Sequence, residues 1–108
     1  MKLLFAIIQN EDNKSLTRAL IEKEISVTRI SSTGGFLRGG NTTLMIGVPE
    51  EKLQTALDTI KEHSCRRQVV TAPAAGIPHN VDSIAMPLTV TVGGATVFIL
   101  DVADSMHY

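Results

Sequence analysis

The chain has little of what marks several common classes of protein. Only one of its 108 residues is a cysteine, Cys65, so no disulfide can form within the chain, as suits a reducing cytosol. Lysine plus arginine number 10 against 11 acidic residues, whereas a general nucleic-acid binder is usually basic. No stretch approaches the roughly 20 apolar residues of a membrane span. We expect a cytoplasmic protein that neither inserts into a membrane nor binds a nucleic-acid polymer.

Motifs for metal binding and catalysis are also scarce. His63 and Cys65 lie close in sequence, but no Cys-x-x-Cys or His-x-x-x-His spacing accompanies them. Four residues near the C-terminal end imitate a catalytic triad on paper: Asp101, Asp104, Ser105 and His107. A triad depends on geometry, however, which such a segment fixes poorly. The Arg66-Arg67 pair could bind an anion, but such a pair is more often a solvated helix end. We therefore expect no metal site and no catalytic residues.

What the chain does contain is enough apolar sequence for a core. Hydrophobic residues make up 44% of the chain, and residues 1–108 fit one domain. Residues 2–9 form a continuous apolar run, which predicts a buried strand. The run is short and ends in polar residues without a small-residue cleavage site, so we prefer a first strand to a signal peptide.

Periodicity predicts two helices. Asp12 can cap the first, in which Leu16 and Leu20 face the core. The second begins near Pro49 and ends near residues 63–64, with apolar side chains on one face: Leu53, Ala56, Leu57 and Ile60.

Further strands are predicted at residues 25–32, 42–48 and 67–72. Residues 88–92 and 95–100 form either a hairpin on Gly93-Gly94 or one bent strand. The order predicts an α+β, ferredoxin-like βαββαβ sandwich with both helices on one face of the sheet. Since two of its strands look apolar on both sides, we expect oligomerisation to cover the other face.

A glycine-rich segment, residues 34–41, joins the second and third strands. Its backbone can approach a ligand closely and offer successive N–H groups to an anion. It is not a phosphate-binding P-loop, because Asn41 stands at the lysine position and a strand follows instead of a helix. From the residues alone, it is a site for a phosphate-bearing nucleotide, a hairpin tip, or a contact with another subunit. A second segment, residues 73–87, is predicted to be a long loop.

Three strings carry a resemblance to a known family. Residues 33–43 read Thr-Gly-Gly-Phe-Leu-Arg-Gly-Gly-Asn-Thr-Thr, residues 92–98 read Val-Gly-Gly-Ala-Thr-Val-Phe, and residues 6–9 read Ala-Ile-Ile-Gln. With the order of elements, these strings resemble the cyclic di-AMP receptor family of PII-like signalling proteins, over essentially the whole chain. The resemblance implies a non-enzymatic homotrimer that binds cyclic di-AMP between subunits, uses no other cofactor, and signals to an unidentified downstream protein. It also implies a short loop between strands 2 and 3 and a long loop after helix 2.

The resemblance further implies which residues contact the ligand. By position, the family's contacts fall on seven residues, each of the family's residue type: Thr28, Gly35, Phe36, Leu37, Asn41, Gly47 and Phe98. The chemistry of these residues suits an adenine dinucleotide. Phe36 and Leu37 can pack on a base, Asn41 can bond an adenine edge, and Thr28 can donate to a phosphate. Gly47 leaves room for a base, and Phe98 extends the apolar wall.

Ser26 departs from the family pattern, since relatives commonly carry an arginine there in contact with the ligand. Loss of that charge-assisted contact costs roughly 1.5–3 kcal/mol, which Arg29 or Arg38 could offset. His107 lies near the position of a glutamine in relatives and could replace that contact. An alternative hypothesis is therefore a trimeric PII-like binder of another small anion, such as ATP, or of a metal.

Overall fold

The computed structural model describes residues 1–31, 40–71 and 88–108, with the side chains of Ser31 and Thr71 left out. The elements in chain order are β1 (Lys2–Gln9), a 3-10 turn (Asn10–Asp12), α1 (Asn13–Glu22), β2 (Val27–Ser31), β3 (Asn41–Val48), α2 (Glu50–Ser64), β4 (Arg67–Thr71), β5 (Leu88–Val92) and β6 (Ala95–Asp101). Most of the glycine-rich segment and all of loop 73–87 lie outside the described residues, so their predicted roles stay predictions.

The main sheet is antiparallel, and its strand order is β2-β3-β1-β6. This arrangement confirms the predicted α+β, ferredoxin-like plan. The fourth strand of the sheet is β6, however, and not the strand that follows α2. Strand β4 instead pairs with β5 in a separate two-stranded sheet, which we call the arm.

Between β5 and β6 the chain passes from the arm into the main sheet. Gly93 and Gly94 make this passage with φ of +82° and +110°, values that side-chain-bearing residues rarely adopt. Of the two predictions for residues 88–100, the hairpin is wrong and the bent strand is confirmed. The reason is that β5 and β6 each pair with a different neighbour, β4 and β1.

The core lies between the main sheet and the two helices. Alternate residues of β1 and β3 point toward the helices, as expected for a strand. The buried cluster comprises Leu4, Ala6, Ile8, Leu16, Leu20, Ile25, Leu44, Ile46, Val48, Ala56 and Ile60. The predicted inward positions of both helices, Leu16 and Leu20 in α1 and Ala56 and Ile60 in α2, are therefore confirmed.

The helix starts differ in detail from the sequence prediction. Asp12 occupies the N-cap position of α1, but its side chain makes no capping hydrogen bond. Its carboxylate binds Arg67 instead, a charge partner that a local pattern cannot reveal. Pro49 precedes α2 as its N-cap residue, and Glu50 and Glu51 lie in the first turn, where the helix dipole favours negative charge.

The other face of the main sheet carries a second set of apolar side chains. Following the alternation and the register, Leu3, Phe5, Met45, Phe98 and Leu100 share this face, which we call the open face. Phe98 and Leu100 are almost half exposed, at 46% and 43%. The helices pack on the opposite face of the sheet. The expectation that β1 and β3 are apolar on both faces is therefore confirmed for β1. Strand β3 meets the expectation only in part, because two of its residues on the open face, Thr43 and Gly47, have no large apolar side chain.

An ion pair joins the start of β1 to the end of β6. The hydrogen bond between Lys2 and Asp101 is the main cause that lowers the pKa of Asp101 and raises the pKa of Lys2. Because the pKa of Asp101 is lowered in the folded protein, its ionised carboxylate stabilises the fold at pH values above the ordinary 3.8. This contribution to stability is lost as the pH falls through the lowered pKa. Because the pKa of Lys2 is raised, its charged ammonium group stabilises the fold at pH values below the ordinary 10.5. This contribution is lost as the pH rises through the raised pKa.

We therefore expect Asp101→Asn to lower the melting temperature by a small, constant amount between those two limits. The difference from the wild type should shrink once Asp101 is protonated in acid, and again once Lys2 is deprotonated in base. Thermal unfolding of both proteins across the pH range checks this, and a difference that persists at the acid extreme would contradict it.

Candidate functional site

The stem of the glycine-rich segment is held by the turn that follows β1. The Asn10 N–H donates to the carbonyl oxygen of Gly40 at 3.3 Å, and the Thr42 hydroxyl donates to Asn10 Oδ1 at 2.6 Å. Gly40 has a φ of +95°, and a Cβ there would lie 2.8 Å from Asn10 Nδ2. Asn41, between these two anchored residues, is half-buried and pairs in register with Gln9.

Two of the sequence-predicted contact residues come together on the open face. Thr28 pairs with Met45, and Gly47 lies two residues further along β3, so Thr28 and Gly47 are diagonal neighbours roughly 7 Å apart. Both are exposed. Ser26 immediately precedes β2, whose register with β3 begins at the pair Val27 and Ile46, the residue before Gly47. Three predicted contacts, Gly35, Phe36 and Leu37, lie outside the described residues.

The other two predicted contacts lie apart from this pair. Thr28, Met45, Phe5 and Phe98 form one row across the four strands. Thr28 and Phe98 therefore stand on the two opposite edges of the sheet, roughly 14 Å apart. Asn41 and Gly47 lie at opposite ends of β3, roughly 20 Å apart. One protomer does not gather these four residues around one point.

A cavity of about 580 Å³ lies beside Asn41, between α1 and the ends of β2 and β3. Two cationic side chains, Lys14 and Arg29, are among its lining residues. Arg29 follows Thr28 in β2 and so points to the opposite face of the sheet. Arg29 lines the same cavity as Asn41 and can meet an anion there, but because it points away from the open face it does not replace, within the same protomer, an arginine at Ser26. Arg38 lies outside the described residues, and His107 is exposed in the C-terminal segment.

The base of the arm is tied to the same turn. Arg67 Nη2 donates to Asp12 Oδ1 at 2.7 Å, and Arg67 Nη1 donates to the Cys65 carbonyl at 3.1 Å. The Asp12 side chain is only 5% exposed. The hydrogen bond to Asp12 is the main cause that raises the pKa of Arg67. The expectation that Arg66-Arg67 is a solvated helix end is therefore wrong for Arg67, which opens β4 and neutralises a buried carboxylate.

The passage from arm to main sheet makes two more contacts with the body. The Gly93 N–H donates to Gln9 Oε1 at 2.7 Å, and the Gly94 N–H donates to the Ser64 carbonyl at 2.6 Å. Sequence reasoning missed Gln9, Asn10 and Asp12 as connecting residues. The available signal was the abrupt change from the apolar run of β1 to four polar residues, Gln-Asn-Glu-Asp.

Replacement of Arg67 by methionine should destabilise the protein, because it leaves the buried Asp12 carboxylate without its cation. We expect the free energy of unfolding to fall by about 1–3 kcal/mol, given that Arg67 is partly exposed. Urea denaturation measures this, with Arg66→Met as the matched control at an exposed neighbouring position, expected to change stability by less than about 0.5 kcal/mol. Equal losses for both variants would contradict the role assigned to the ion pair.

Within residues 1–31, 40–71 and 88–108, no three His, Cys, Asp or Glu side chains cluster so that they could hold a metal ion. In the same part of the chain, no helix is long and apolar enough to cross a membrane.

The fold is thus a ferredoxin-like α+β sandwich, compatible with the PII-like arrangement. The chain belongs to the cyclic-di-AMP receptor family, whose sequence profile matches residues 1–108. Cyclic-di-AMP receptors are binding and signalling proteins, and the family supplies cyclic di-AMP as the ligand class.

A solved structure is similar over nearly the whole chain. It is described as the crystal structure of a functionally unknown protein from Pediococcus pentosaceus ATCC 25745, and it is 37% identical in sequence. The superposition has a TM-score of 0.82 and covers 99% of this chain and 96% of that one. This similarity supports the fold and adds no function.

Proposed function

We propose that the chain is a cytoplasmic, non-enzymatic, PII-like receptor that binds cyclic di-AMP in clefts between the subunits of a homotrimer. Binding would rearrange segments 34–41 and 73–87 and so change the engagement of a downstream protein that is still to be identified. The proposed contacts are the seven positions implied by the family resemblance: Thr28, Gly35, Phe36, Leu37, Asn41, Gly47 and Phe98. Residues 1–108 would act as one PII-like domain.

The separation of these residues supports a site shared between copies. Thr28 and Phe98 lie on opposite edge strands of one sheet. A ligand that touches both therefore either spans the whole sheet or lies where the β2–β3 edge of one copy meets the β6 edge of the next. Only the second arrangement encloses the ligand on several sides, as a small-molecule site requires. This separation is the observation on which the proposal chiefly rests.

The open face supports association of copies. Exposed apolar side chains that share one face of a sheet cost free energy in water and mark interaction surfaces when they are contiguous. Phe98 and Leu100 are exposed beside the partly buried Leu3 and Phe5 in the register of β1 and β6. Closed cyclic symmetry would place three such faces around one axis and repeat the composite cleft at each contact.

Calorimetric titration with cyclic di-AMP tests the proposal. The wild type should bind one ligand per subunit, and the double variant Phe36→Ala/Asn41→Ala should bind at least tenfold more weakly, since it loses a stacking surface and a base-pairing amide. Light scattering on the same samples should give the mass of three chains. No binding by a folded trimer would refute the function, and wild-type affinity in the double variant would refute the site.

A second candidate is a trimeric PII-like binder of another small anion, such as ATP. Ser26 favours it, because it stands where relatives commonly carry an arginine in contact with the ligand. The cavity beside Asn41 is lined by Lys14 and Arg29 against one acidic residue, Glu11, and this excess of positive charge would suit a phosphate group of either ligand. Competition of ATP and cyclic di-GMP against labelled cyclic di-AMP distinguishes the two: the receptor proposal predicts displacement by unlabelled cyclic di-AMP at the lowest concentration.

A further inference from the structure

We propose that residues Gln9–Asp12, which we call the junction, couple nucleotide binding at Asn41 to the folding of the arm formed by β4 and β5. This inference rests on the proposed function, and it names the residues that would carry the signal from the ligand site. The junction begins at Gln9, the last residue of β1, the strand that pairs with both β3 and β6. It therefore stands where the stem of the glycine-rich segment and the base of the arm approach one another.

One side of the junction holds the residues on either side of Asn41. Asn10 accepts a hydrogen bond from the Thr42 hydroxyl and donates its N–H to Gly40. Thr42 is buried, at 8% exposure, whereas Asn10 is exposed, so this bond is partly shielded from water. A nucleotide that binds Asn41 while the stem holds this arrangement therefore favours these two bonds.

The other side of the junction holds both strands of the arm at their shared end. Arg67 and Val92 are partners in the arm register, so they mark its base. Asp12 binds Arg67, and Gln9 accepts from Gly93, the residue after Val92. Gln9 is also the register partner of Asn41, so one residue touches both the ligand strand and the arm.

The arm has the properties of an element with two states. It contains two strands of five residues each, and an isolated pair of strands is marginally stable in water. Its apolar side chains are exposed in the described chain, with Val70 at 64% and Leu88 at 66%, so little burial opposes fraying. The contacts at its base therefore contribute a large share of what keeps it paired.

The physical consequence is a reciprocal coupling. If cyclic di-AMP binds more tightly when the junction contacts are formed, it must favour the paired arm by the same factor. Removal of the hydrogen bonds of the junction should leave a site that still binds cyclic di-AMP, while binding no longer changes the pairing of the arm. A change of arm pairing would in turn alter the surface offered to another protein.

Amide hydrogen exchange of residues 67–71 and 88–92 tests this, with and without saturating cyclic di-AMP, by NMR. In the wild type we expect the ligand to change exchange rates in the arm at least fivefold. Thr42→Val removes the hydroxyl at constant shape, and Gln9→Ala removes the acceptor of the Gly93 N–H. Each variant should still bind cyclic di-AMP at saturating concentration, yet the ligand should change the exchange rates of its arm amides less than twofold. The matched controls, Thr42→Ser and the remote helix variant Gln54→Ala, should behave like the wild type.

The outcomes separate the two proposals. If calorimetry shows no cyclic di-AMP binding by the wild type, the proposed function fails and the coupling fails with it. If the wild type binds but its arm amides do not respond, the receptor stands and the coupling is overturned. The coupling is likewise overturned if Thr42→Val and Gln9→Ala retain the full response, or if both abolish binding even at high ligand concentration. In the last case the junction would serve only to build the site.

Discussion

Gly47→Val should fold like the wild type and bind cyclic di-AMP at least tenfold more weakly. A Cβ at Gly47 would meet only the tip of Met1, at an ordinary distance of 3.9 Å, and Gly47 is not among the described glycines with positive φ. Valine also suits a strand, so the fold has no reason to suffer. Binding of the proposed ligand should be weakened, because a branched side chain would fill the space left for a base on the open face.

Calorimetry measures the affinity of Gly47→Val, and thermal unfolding and light scattering verify that the variant is folded and assembled. Thr43→Val is the matched control, since Thr43 lies on the same strand and face but outside the proposed contacts. It should keep the wild-type affinity within about twofold, or 0.4 kcal/mol. Wild-type affinity in a trimeric Gly47→Val would remove Gly47 from the site.

Gly93→Ala should instead damage the fold itself. Gly93 has a φ of +82°, and a Cβ there would overlap the carbonyl oxygen of Cys65 and crowd the Arg67 guanidinium. Both strain and clash fall on the passage between β5 and β6. We expect the free energy of unfolding to drop by about 2–4 kcal/mol.

Urea denaturation checks this loss, and Gly47→Ala is its control: a second glycine in strand surroundings, where a Cβ fits. That variant should be as stable as the wild type or up to about 1 kcal/mol more stable, since alanine restricts the unfolded chain. Equal unfolding midpoints for Gly93→Ala and Gly47→Ala would contradict the account of the strand passage.

The sequence predicts the body of this fold because periodicity reports burial directly. Leu16 and Leu20 in α1, and Ala56 and Ile60 in α2, face the core as their spacing requires. The continuous apolar run of β1 likewise predicts a central strand. What the pattern could not show is which late strand completes the sheet. Strands β4 and β6 both contain several β-branched residues, as strands usually do, and only tertiary pairing decides which of them joins the main sheet.

The sequence likewise predicts one part of the candidate site and not the other. A long glycine-rich string is visible in the sequence, and with the family resemblance it predicts contacts such as Thr28 and Gly47, which the register brings together. The ties of Asp12 to Arg67 and of Gln9 to Gly93 join residues 55 and 84 positions apart. No local pattern encodes such pairs, so Asp12 was predicted to cap a helix and Arg67 to be solvated.

The proposal depends most on a cleft to which two different copies contribute. One measurement tests it directly: Gly47→Val and Phe98→Ala, each expected to bind cyclic di-AMP poorly alone, are unfolded together, refolded as a mixture, and titrated. If Gly47 of one copy and Phe98 of the next share a site, roughly a quarter of the sites in randomly mixed trimers contain neither substitution. The account predicts that this fraction binds with wild-type affinity. A mixture that binds no better than its two components would contradict it.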